Sequence, residues 1–335
     1  MAYKIAVFSS KPYWVNHFTQ LKSTHEFHYF PFNLTIENVD LAKGFPVISC
    51  FVNDKVDAKV VEILANNGTK AILLRCTGTN AVDLEAASKF NIAVMKVPSY
   101  SPCAISEFAL SLILSLNRKV HRAFNRVREG NFEINGLEGF NIKGKTVGIV
   151  GTGQIGLGVC RSLGLGLGAK VIAYDVYKSQ EAKDMGVEYV ESMEEIWKRS
   201  DIISLHTPLL ESTKYMVNEN SIAQMKEGVM LINVSRGGLV DTKAVINGLK
   251  SGKIGYLGMD VYENESSYFF EDCSASVMKD DLLARLTTFS NVILTSHQAW
   301  YTQEAIHSIC QTSLNNLDNW SKAEFSSANI VNSFK

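Results

Sequence analysis

Short apolar runs alternate with amphipathic stretches along most of the chain. In the first hundred residues the apolar runs fall at 4–8, 27–30, 47–51, 71–74 and 93–96, and each has the length of a buried strand. The clearest amphipathic stretches are 56–66 and 83–90, and Asn67 and Gly68 follow the first as a typical helix end. Strands that alternate with helices indicate a mostly parallel sheet with helices on its faces. The pattern therefore predicts a doubly wound, flavodoxin-like α/β unit.

The same rhythm starts again near Gly144. Strands are expected at 147–150, 170–174, 187–190, 202–206, 229–233, 255–259 and 292–295. Two helices between them carry end signals. Ser192 and Glu195 have the spacing of a capping box, and Asp241 precedes a helix that should end at 251–252. This second run of strands and helices predicts a Rossmann-type domain.

Two longer helices are predicted outside this rhythm. Ser101 and Pro102 form an N-cap and first-turn pair for one helix that runs from Cys103 into the region of Arg126. A second helix is expected over 302–321 and is long enough to return to the first unit. Because a chain of 335 residues exceeds one ordinary core, two domains are predicted.

A glycine-rich segment, GTGQIG at 151–156, follows the first strand of the second unit and opens a helix. In this pattern the first glycine permits the tight turn, the second lets the backbone approach a pyrophosphate, and the third allows close packing of helix and strand. The unpaired N–H groups at the start of the helix favour an anion without any basic side chain. Such turns also occur for structural reasons alone, so the surrounding sequence must show whether this turn binds a dinucleotide.

Asp175 supplies that context. It ends the next predicted strand and lies 24 positions beyond Gly151, near the spacing of about 20 at which an acid meets the adenosine ribose hydroxyls. A carboxylate there repels a 2′-phosphate, so NAD is predicted rather than NADP. The alternative for Asp175 is a solvated surface aspartate.

Charge and composition exclude several classes of partner. The formal net charge is −1, which gives no basic field for nucleic acid or an anionic membrane, so the expected partner is a small molecule. The chain starts directly in a strand-like run, and no apolar stretch approaches the roughly 18 residues of a membrane span, so a cytoplasmic location is expected. The six cysteines are scattered singly, which predicts reduced structural thiols and no metal site.

Polar residues follow several predicted strands, where ligands bind in open α/β sheets. Besides Asp175, these strand-end groups contain His206, Arg236, His297 and the acids Asp260, Glu263 and Glu265. An arginine, a carboxylate and a histidine match the needs of a 2-oxo acid reductase: the guanidinium grips the substrate carboxylate, and the carboxylate holds a histidine that transfers a proton. These residues alone do not decide between the two histidines or among the three acids.

The same residues carry a family resemblance. The motifs are GTGQIG at 151–156, YD at 174–175, LHTPL at 205–209, NVSRGGLVD at 233–241, MDVYENE at 259–265 and SHQAWYT at 296–302. Together they resemble the D-isomer-specific 2-hydroxyacid dehydrogenase family over nearly the whole chain. Within it, KVPSYSPCAISEFAL at 96–110, DVYENES at 260–266 and HQAWYT at 297–302 are similar to the branch that acts on D-lactate.

The resemblance implies the roles that the residues alone left open. Arg236 would orient the substrate, His297 would donate the proton during reduction, and Glu265 would pair with His297. The residues implied to hold NAD are Gly151, Gly153, Gln154, Ile155, Gly156, Asp175, Thr207, Pro208, Thr213, Val234, Ser235, Arg236 and Asp260. Those implied to bind the substrate are Thr77, Gly78, Tyr100, Arg236 and His297.

The family fold implies a substrate domain of residues 1–100 and 298–335, an NAD-binding domain of residues 101–297, and a homodimer. The expected reaction is the reversible reduction of pyruvate to D-lactate by hydride transfer from NADH. Two alternatives stay open. One is a D-2-hydroxyacid dehydrogenase for a bulkier 2-oxo acid, because the pocket-wall candidates Phe51, Tyr100, Trp300 and Tyr301 do not by themselves fix the pocket size. The other is a corepressor of the same fold that binds NADH without turnover.

Overall fold

The computed structural model describes residues 2–324 and 329–334 and divides the chain into two compact units. One unit contains Met1–Ser101 and Tyr301–Lys335, and the other contains Pro102–Trp300. Residues 325–328 and 335 of the predicted substrate domain, together with residue 1, lie outside the described residues.

The first unit is built on a five-stranded sheet. Its strands are β1 (Lys4–Val7), β2 (Glu26–Tyr29), β3 (Val47–Cys50), β4 (Ala71–Leu74) and β5 (Ala93–Met95), and its first helices are α1 (Pro12–Gln20), α2 (Ala58–Asn66) and α3 (Leu84–Lys89). All pairs are parallel, in the order β2-β1-β3-β4-β5. This is the flavodoxin-like order, so the predicted fold class of this unit is confirmed. Every residue of β3, β4 and β5 is buried, which is why these strands are continuous apolar runs in the sequence.

The second unit is built on a seven-stranded sheet. Its helices are α4 (Pro102–Arg118), α5 (Val120–Arg128), α6 (Gln154–Cys160), α7 (Gln180–Asp184), α8 (Met193–Arg199), α9 (Glu219–Gln224), α10 (Thr242–Ser251) and α11 (Asp281–Thr287). Its strands are β6 (Thr146–Val150), β7 (Lys170–Tyr174), β8 (Glu188–Tyr189), β9 (Ile202–Leu205), β10 (Val229–Asn233), β11 (Ile254–Met259) and β12 (Val292–Leu294). All pairs are parallel, in the order β12-β11-β10-β9-β6-β7-β8. This is the Rossmann arrangement with one further strand, and the strand order reverses between β6 and β9.

Most helix ends follow their local sequence signals. The carboxylate of Asp241 accepts hydrogen bonds from the backbone N–H groups of the first turn of α10, and Gly252 ends that helix in the left-handed region with φ +83°. The predicted capping box at Ser192 is wrong, because the Ser192 side chain makes no capping hydrogen bond. Glu195 instead accepts from the backbone N–H of Glu191 at 3.2 Å and pairs with Arg199 on the next turn.

The single long helix predicted from Cys103 to the region of Arg126 is also wrong. It is broken at Lys119, which has φ +50°, so α4 and α5 are separate helices. The break follows from a tertiary contact. The buried Asn117 side chain donates to the Phe140 carbonyl and accepts from its N–H, both at 2.8 Å, while Lys119 donates to the Glu138 carbonyl. Segment 138–140 therefore packs against the last turn of α4 and redirects the chain there.

The last helix, α12 (Gln303–Ser321), belongs to the first unit. The Thr302 hydroxyl caps it by accepting from the backbone N–H of Ala305 at 3.2 Å. Leu317 joins the apolar cluster under the five-stranded sheet, and the Asn316 amide donates to the Lys96 carbonyl at 2.9 Å. Within the described residues, no helix combines the length and the apolar character needed to cross a membrane.

Candidate active site

The glycine turn after β6 has the geometry that its sequence predicted. Gly151 has φ +93°, and a Cβ there would lie 2.7 Å from the His206 carbonyl oxygen, while a Cβ on Gly156 would lie 2.0 Å from the Gly151 carbonyl oxygen. A Cβ on Gly153 would meet nothing within 4 Å. Gly151 and Gly156 are thus required by packing, whereas Gly153 borders open space where an anion can approach the backbone. Gln154 and Ile155 begin α6 directly behind it, with no side chain capping the helix.

Asp175 lies where the chain leaves β7, and its carboxylate is fixed by this turn. One oxygen accepts from the backbone N–H of Thr152 at 2.6 Å and from the Thr152 hydroxyl at 3.1 Å, and the other accepts from the Tyr177 N–H at 3.0 Å. Lys178, three residues further along the chain, is a basic residue that could favour a 2′-phosphate, but its Nζ pairs with Glu191 at 2.6 Å. The carboxylate keeps acceptor capacity for ribose hydroxyls, so the residues present fit NAD.

The segments that follow β9 and β10 are held side by side. The Ser235 hydroxyl donates to the Thr207 carbonyl at 2.6 Å, and the Thr213 hydroxyl donates to the Pro208 carbonyl at 2.7 Å. A Cβ on Gly237 would lie 2.0 Å from the backbone of Tyr262. Close packing at Gly237 therefore sets the Arg236 turn, including the buried Val234, against the segment that follows β11.

His297 and Glu265 form a direct pair. His297 Nδ1 lies 2.8 Å from Glu265 Oε1, and the other Glu265 oxygen accepts from the Tyr262 N–H at 3.0 Å. The exposed fractions are 20% for the His297 side chain and 26% for that of Glu265, so the pair is partly covered but reachable. His297 itself has φ +56°, a left-handed conformation that is uncommon for histidine, and its N–H donates to the Asp260 carbonyl at 2.7 Å.

Asp260 holds the segment that carries His297. Its side chain is fully buried, and it accepts from the Thr295 hydroxyl at 2.6 Å and from the backbone N–H groups of Gln298 and Ala299 at 2.9 and 2.8 Å. Burial raises the pKa of the Asp260 carboxyl, and these hydrogen bonds oppose the increase. The left-handed conformation of His297 is thus maintained by three hydrogen bonds to a neighbouring carboxylate.

The other candidates that the sequence left open have structural partners. His206 Nε2 shares a hydrogen bond with the Ser204 hydroxyl at 2.8 Å, and burial lowers the pKa of His206 to about 4, so its ring is neutral at physiological pH. Glu263 accepts from the Tyr215 hydroxyl at 2.7 Å and from the backbone N–H of Thr242 at 3.3 Å. Of the two histidines and the two glutamates, the structure therefore pairs His297 with Glu265.

Arg236 lies exposed at the carboxyl end of β10. Its Nη1 donates to the Ser235 carbonyl at 2.7 Å, and no carboxylate pairs with it in the part of the chain that the structure describes. Arg236 is therefore not engaged in a surface ion pair with a described carboxylate, and the guanidinium keeps donors for a ligand.

The remaining substrate candidates lie in the first unit. Thr77 and Gly78 follow β4 and Tyr100 follows β5, and all three are partly exposed. The Cys76 thiol donates to the Gly78 carbonyl with an S···O distance of 3.2 Å. Metal-binding groups of three or more histidine, cysteine, aspartate or glutamate side chains are absent among the described residues.

Sequence reasoning missed Arg75, a fully buried charge directly before this loop. Its guanidinium donates to the Ser49 hydroxyl at 2.8 Å and to the Phe8 carbonyl at 2.6 Å, and it lies 5.1 Å from the centre of the Trp14 ring. Burial lowers the pKa of Arg75, and the buried Asp54 carboxylate opposes that change. The sequence signal for a buried charge was the position of this arginine directly after the apolar run 71–74.

Comparison with known proteins identifies the family. Residues 110–299 match the sequence model described as "D-isomer specific 2-hydroxyacid dehydrogenase, NAD binding domain". The chain belongs to the D-isomer-specific 2-hydroxyacid dehydrogenase family. A provisionally named D-lactate dehydrogenase of Dictyostelium discoideum is 56% identical to this dehydrogenase over 330 residues, which cover 98% of this chain and 97% of that protein.

Two solved structures are similar over almost their whole length. The apo-structure of D-lactate dehydrogenase from Escherichia coli has a TM-score of 0.90 and 43% identity, and covers 98% of this dehydrogenase and 100% of that chain. The pyruvate reductase of Chlamydomonas reinhardtii has a TM-score of 0.93 and 40% identity, and the match covers 97% of this dehydrogenase and 98% of that chain. The predicted family and NAD as cofactor are confirmed, and the protein is an NAD-dependent D-2-hydroxyacid dehydrogenase that acts on small hydroxy acids.

Proposed function

We propose that this dehydrogenase catalyses the reversible reduction of pyruvate to D-lactate with NADH. The observation that carries the proposal is the hydrogen bond of 2.8 Å between His297 and Glu265, in a unit that also has an exposed arginine and a dinucleotide-binding turn. The similarity to a D-lactate dehydrogenase and to a pyruvate reductase supports pyruvate as the substrate.

His297 is proposed as the proton donor in reduction. Bound NADH supplies a hydride to C2 of the 2-oxo acid. Glu265 accepts from Nδ1–H of the ring, which leaves Nε2–H to give its proton to the substrate oxygen as the new C–H bond forms. The ring is then neutral, and the reverse reaction returns the hydroxyl proton to Nε2. The carboxylate stabilises the protonated ring and fixes its orientation.

Arg236 is proposed to hold the substrate carboxylate. A planar guanidinium binds a carboxylate through two parallel N–H bonds, which fix the position of C2 as well as the charge. Its exposed position beside the segment after β11 supports this role. The same group also polarises the carbonyl, because it is a fixed positive charge close to the developing alkoxide.

The NAD contacts are proposed as the family resemblance implies them. Asp175 is proposed to bind the adenosine ribose, and the amide groups at the start of α6 the pyrophosphate. The residues proposed to line the rest of the site are Thr207, Pro208, Thr213, Val234 and Ser235. Asp260, which the family resemblance also implies near NAD, has a fully buried side chain. For Asp260 we add a positioning role, since its buried carboxylate holds residues 295–299.

We also propose the roles of the two units. Residues 1–100 with 298–335 would form the substrate domain, and residues 101–297 the NAD-binding domain. Thr77, Gly78 and Tyr100 would then border the substrate. Replacing Thr77 with valine removes one hydroxyl at nearly constant shape, so we expect a higher KM for pyruvate and an unchanged Kd for NADH. An unchanged KM would remove Thr77 from the substrate site.

A homodimer in the cytoplasm completes the proposal. The apolar residues of α5 are exposed at Val120 (57%), Phe124 (60%) and Val127 (51%), and Phe132 follows at 75%, which forms an apolar surface suited to a second copy of the chain. All six cysteines are free thiols, as in a reducing compartment. We expect Phe124→Glu to give a monomer in light scattering, whereas Lys250→Glu, a charge reversal at an exposed residue of α10, should stay dimeric. A wild-type monomer at micromolar concentration would contradict the proposal.

The experiment that tests the reaction compares 2-oxo acids. We expect kcat/KM with NADH to be largest for pyruvate and at least tenfold lower for 2-oxoisocaproate and phenylpyruvate. A higher value for either larger acid would favour the alternative of a bulkier substrate. Binding of NADH with negligible turnover of all three acids would favour the corepressor alternative.

A further inference from the structure

A cavity of about 360 Å³ lies in the second unit, at the end of the sheet opposite to the candidate active site. Gly228 and Asn291, which immediately precede β10 and β12, form part of its wall, together with Gly255 near the start of β11. His297 and Arg236 follow the carboxyl ends of the same parallel strands. The cavity is therefore a separate feature at the amino ends of the strands, and its volume lies in the range of small-molecule sites.

The charge of this cavity is one-sided. Three of its lining side chains are basic, namely Lys119, His121 and Arg122, and no acidic side chain lines it among the described residues. The protein as a whole is almost neutral, with 33 basic and 34 acidic residues, so this local excess is not a general property of its surface. Basic groups that converge on a concave site attract anions more strongly than the same groups on a flat surface.

The two permanent charges are not neutralised by carboxylates. Lys119 donates to the Glu138 carbonyl and lies 5.9 Å from the centre of the Tyr256 ring, and both of these partners are neutral. Arg122 forms no ion pair with a described carboxylate. Burial lowers the pKa of His121, and the positive charge of Arg122 adds a smaller decrease. Arg122 and His121 line the same cavity, and the guanidinium donors are available to a ligand.

His121 also has unmet hydrogen-bonding capacity. Its Nδ1 is buried and has no hydrogen-bond partner in the described part of the chain, although the ring interacts with the Ser115 carbonyl. A buried polar atom without a partner costs free energy, which a ligand or a water molecule can recover. Leu116 and Tyr256 supply an apolar wall on which a carbon skeleton can pack.

We propose that this cavity binds a small organic anion with two or more carboxylate or phosphate groups. Arg122 would bind one group through parallel N–H bonds, Lys119 would bind a second as a point charge, and His121 would contact one of them. Such a ligand differs from the proposed substrate, which carries a single carboxylate. The proposal does not depend on which 2-oxo acid the enzyme reduces.

Calorimetric titration of the NADH-loaded protein tests this proposal. The Arg236→Gln variant serves as background, because it removes the proposed carboxylate contact of the active site, and bound NADH occupies the pyrophosphate site. Citrate and inorganic pyrophosphate are the probes, with acetate as the single-charge control. We expect saturable 1:1 binding of citrate or pyrophosphate in the millimolar range or tighter, and at least tenfold weaker binding of acetate. Tighter binding of citrate would indicate that the cavity recognises carboxylates, and tighter binding of pyrophosphate would indicate that it recognises phosphates.

Variants locate the site. Arg122→Gln in the same background should weaken binding at least tenfold, which corresponds to about 1.4 kcal/mol. Lys119→Asn, which tolerates the left-handed backbone, should also weaken it. Arg128→Gln on the same helix carries the same charge change outside the cavity and should stay within twofold. Absence of saturable binding by both probes, or equal weakening by Arg122→Gln and Arg128→Gln, would overturn the proposal.

Discussion

Glu265→Gln tests the proposed proton donor most directly, because it changes the chemistry of one atom and keeps the side-chain shape. In the wild type one Glu265 oxygen accepts from His297 Nδ1 at 2.8 Å and the other from the Tyr262 N–H at 3.0 Å. A glutamine has one oxygen, so it can keep only one of these bonds. If that oxygen stays with Tyr262, the NH₂ group faces Nδ1, where a protonated ring would present a second donor.

We expect Glu265→Gln to lower kcat in both directions of the reaction. Reduction needs the protonated ring, which loses its carboxylate partner. Oxidation needs a neutral ring with an empty Nε2, whereas an NH₂ group at Nδ1 favours the tautomer with the proton on Nε2. A charge-assisted hydrogen bond contributes about 1.5–3 kcal/mol, and each 1.36 kcal/mol is a factor of about ten in rate. Because the side chains are 20% and 26% exposed and water replaces part of the interaction, we expect kcat to fall about 10- to 100-fold.

The assay is NADH absorbance with pyruvate, and with D-lactate in reverse. His297→Gln alone should lower kcat by about two to four orders of magnitude with NADH binding nearly unchanged. Adding Glu265→Gln to it should cost little more, because the imidazole that the carboxylate serves is already absent. Glu263→Gln is the matched control and should stay within about twofold. If Glu265→Gln lowers kcat by the same factor with and without His297, the two residues do not act as a pair and the mechanism is refuted.

Three further predictions follow from the site and its supports. Asp175→Ala should lower the ratio of kcat/KM for NADH to that for NADPH at least tenfold, because the repulsion of a 2′-phosphate is lost; an unchanged ratio would mean that the ribose is held elsewhere. Asp260→Asn should lower the free energy of unfolding by about 2–4 kcal/mol in urea titrations, because its NH₂ group faces a buried donor, and a loss below about 1 kcal/mol would contradict this. His206 has its pKa lowered to about 4, so the unfolded chain binds the proton more tightly between pH 6.5 and 4 and stability falls as the pH falls through that window. From pH 7 to 4.5 this contributes about 2–3 kcal/mol, which His206→Gln should remove; the same pH dependence in both proteins would contradict the assignment.

The sequence by itself determined the elements and their order. The apolar run at 71–74 is β4, and that at 229–233 is β10, residue for residue. The other predicted strands are correct to within two residues, because buried parallel strands must be apolar on both faces. The roles of Asp241 and Gly252 at the ends of α10 were equally readable, since they involve only neighbours along the chain. The position of the dinucleotide-binding turn was also readable from its glycine spacing, although the contact that requires glycine at 151 is with the backbone of His206, which follows a different strand.

Tertiary structure decided the points that depend on residues distant in sequence. His206 and His297 both end strands, and what separates them is burial beside Ser204 in one case and a glutamate 32 positions away in the other. Local pattern likewise could not show that segment 138–140 breaks a helix at Lys119. Nor could it show that Arg75 is wholly buried against the Phe8 carbonyl. Hydrophobic periodicity and capping act over a few residues, whereas the charge, tautomer and orientation of a side chain are set by whatever the fold packs against it.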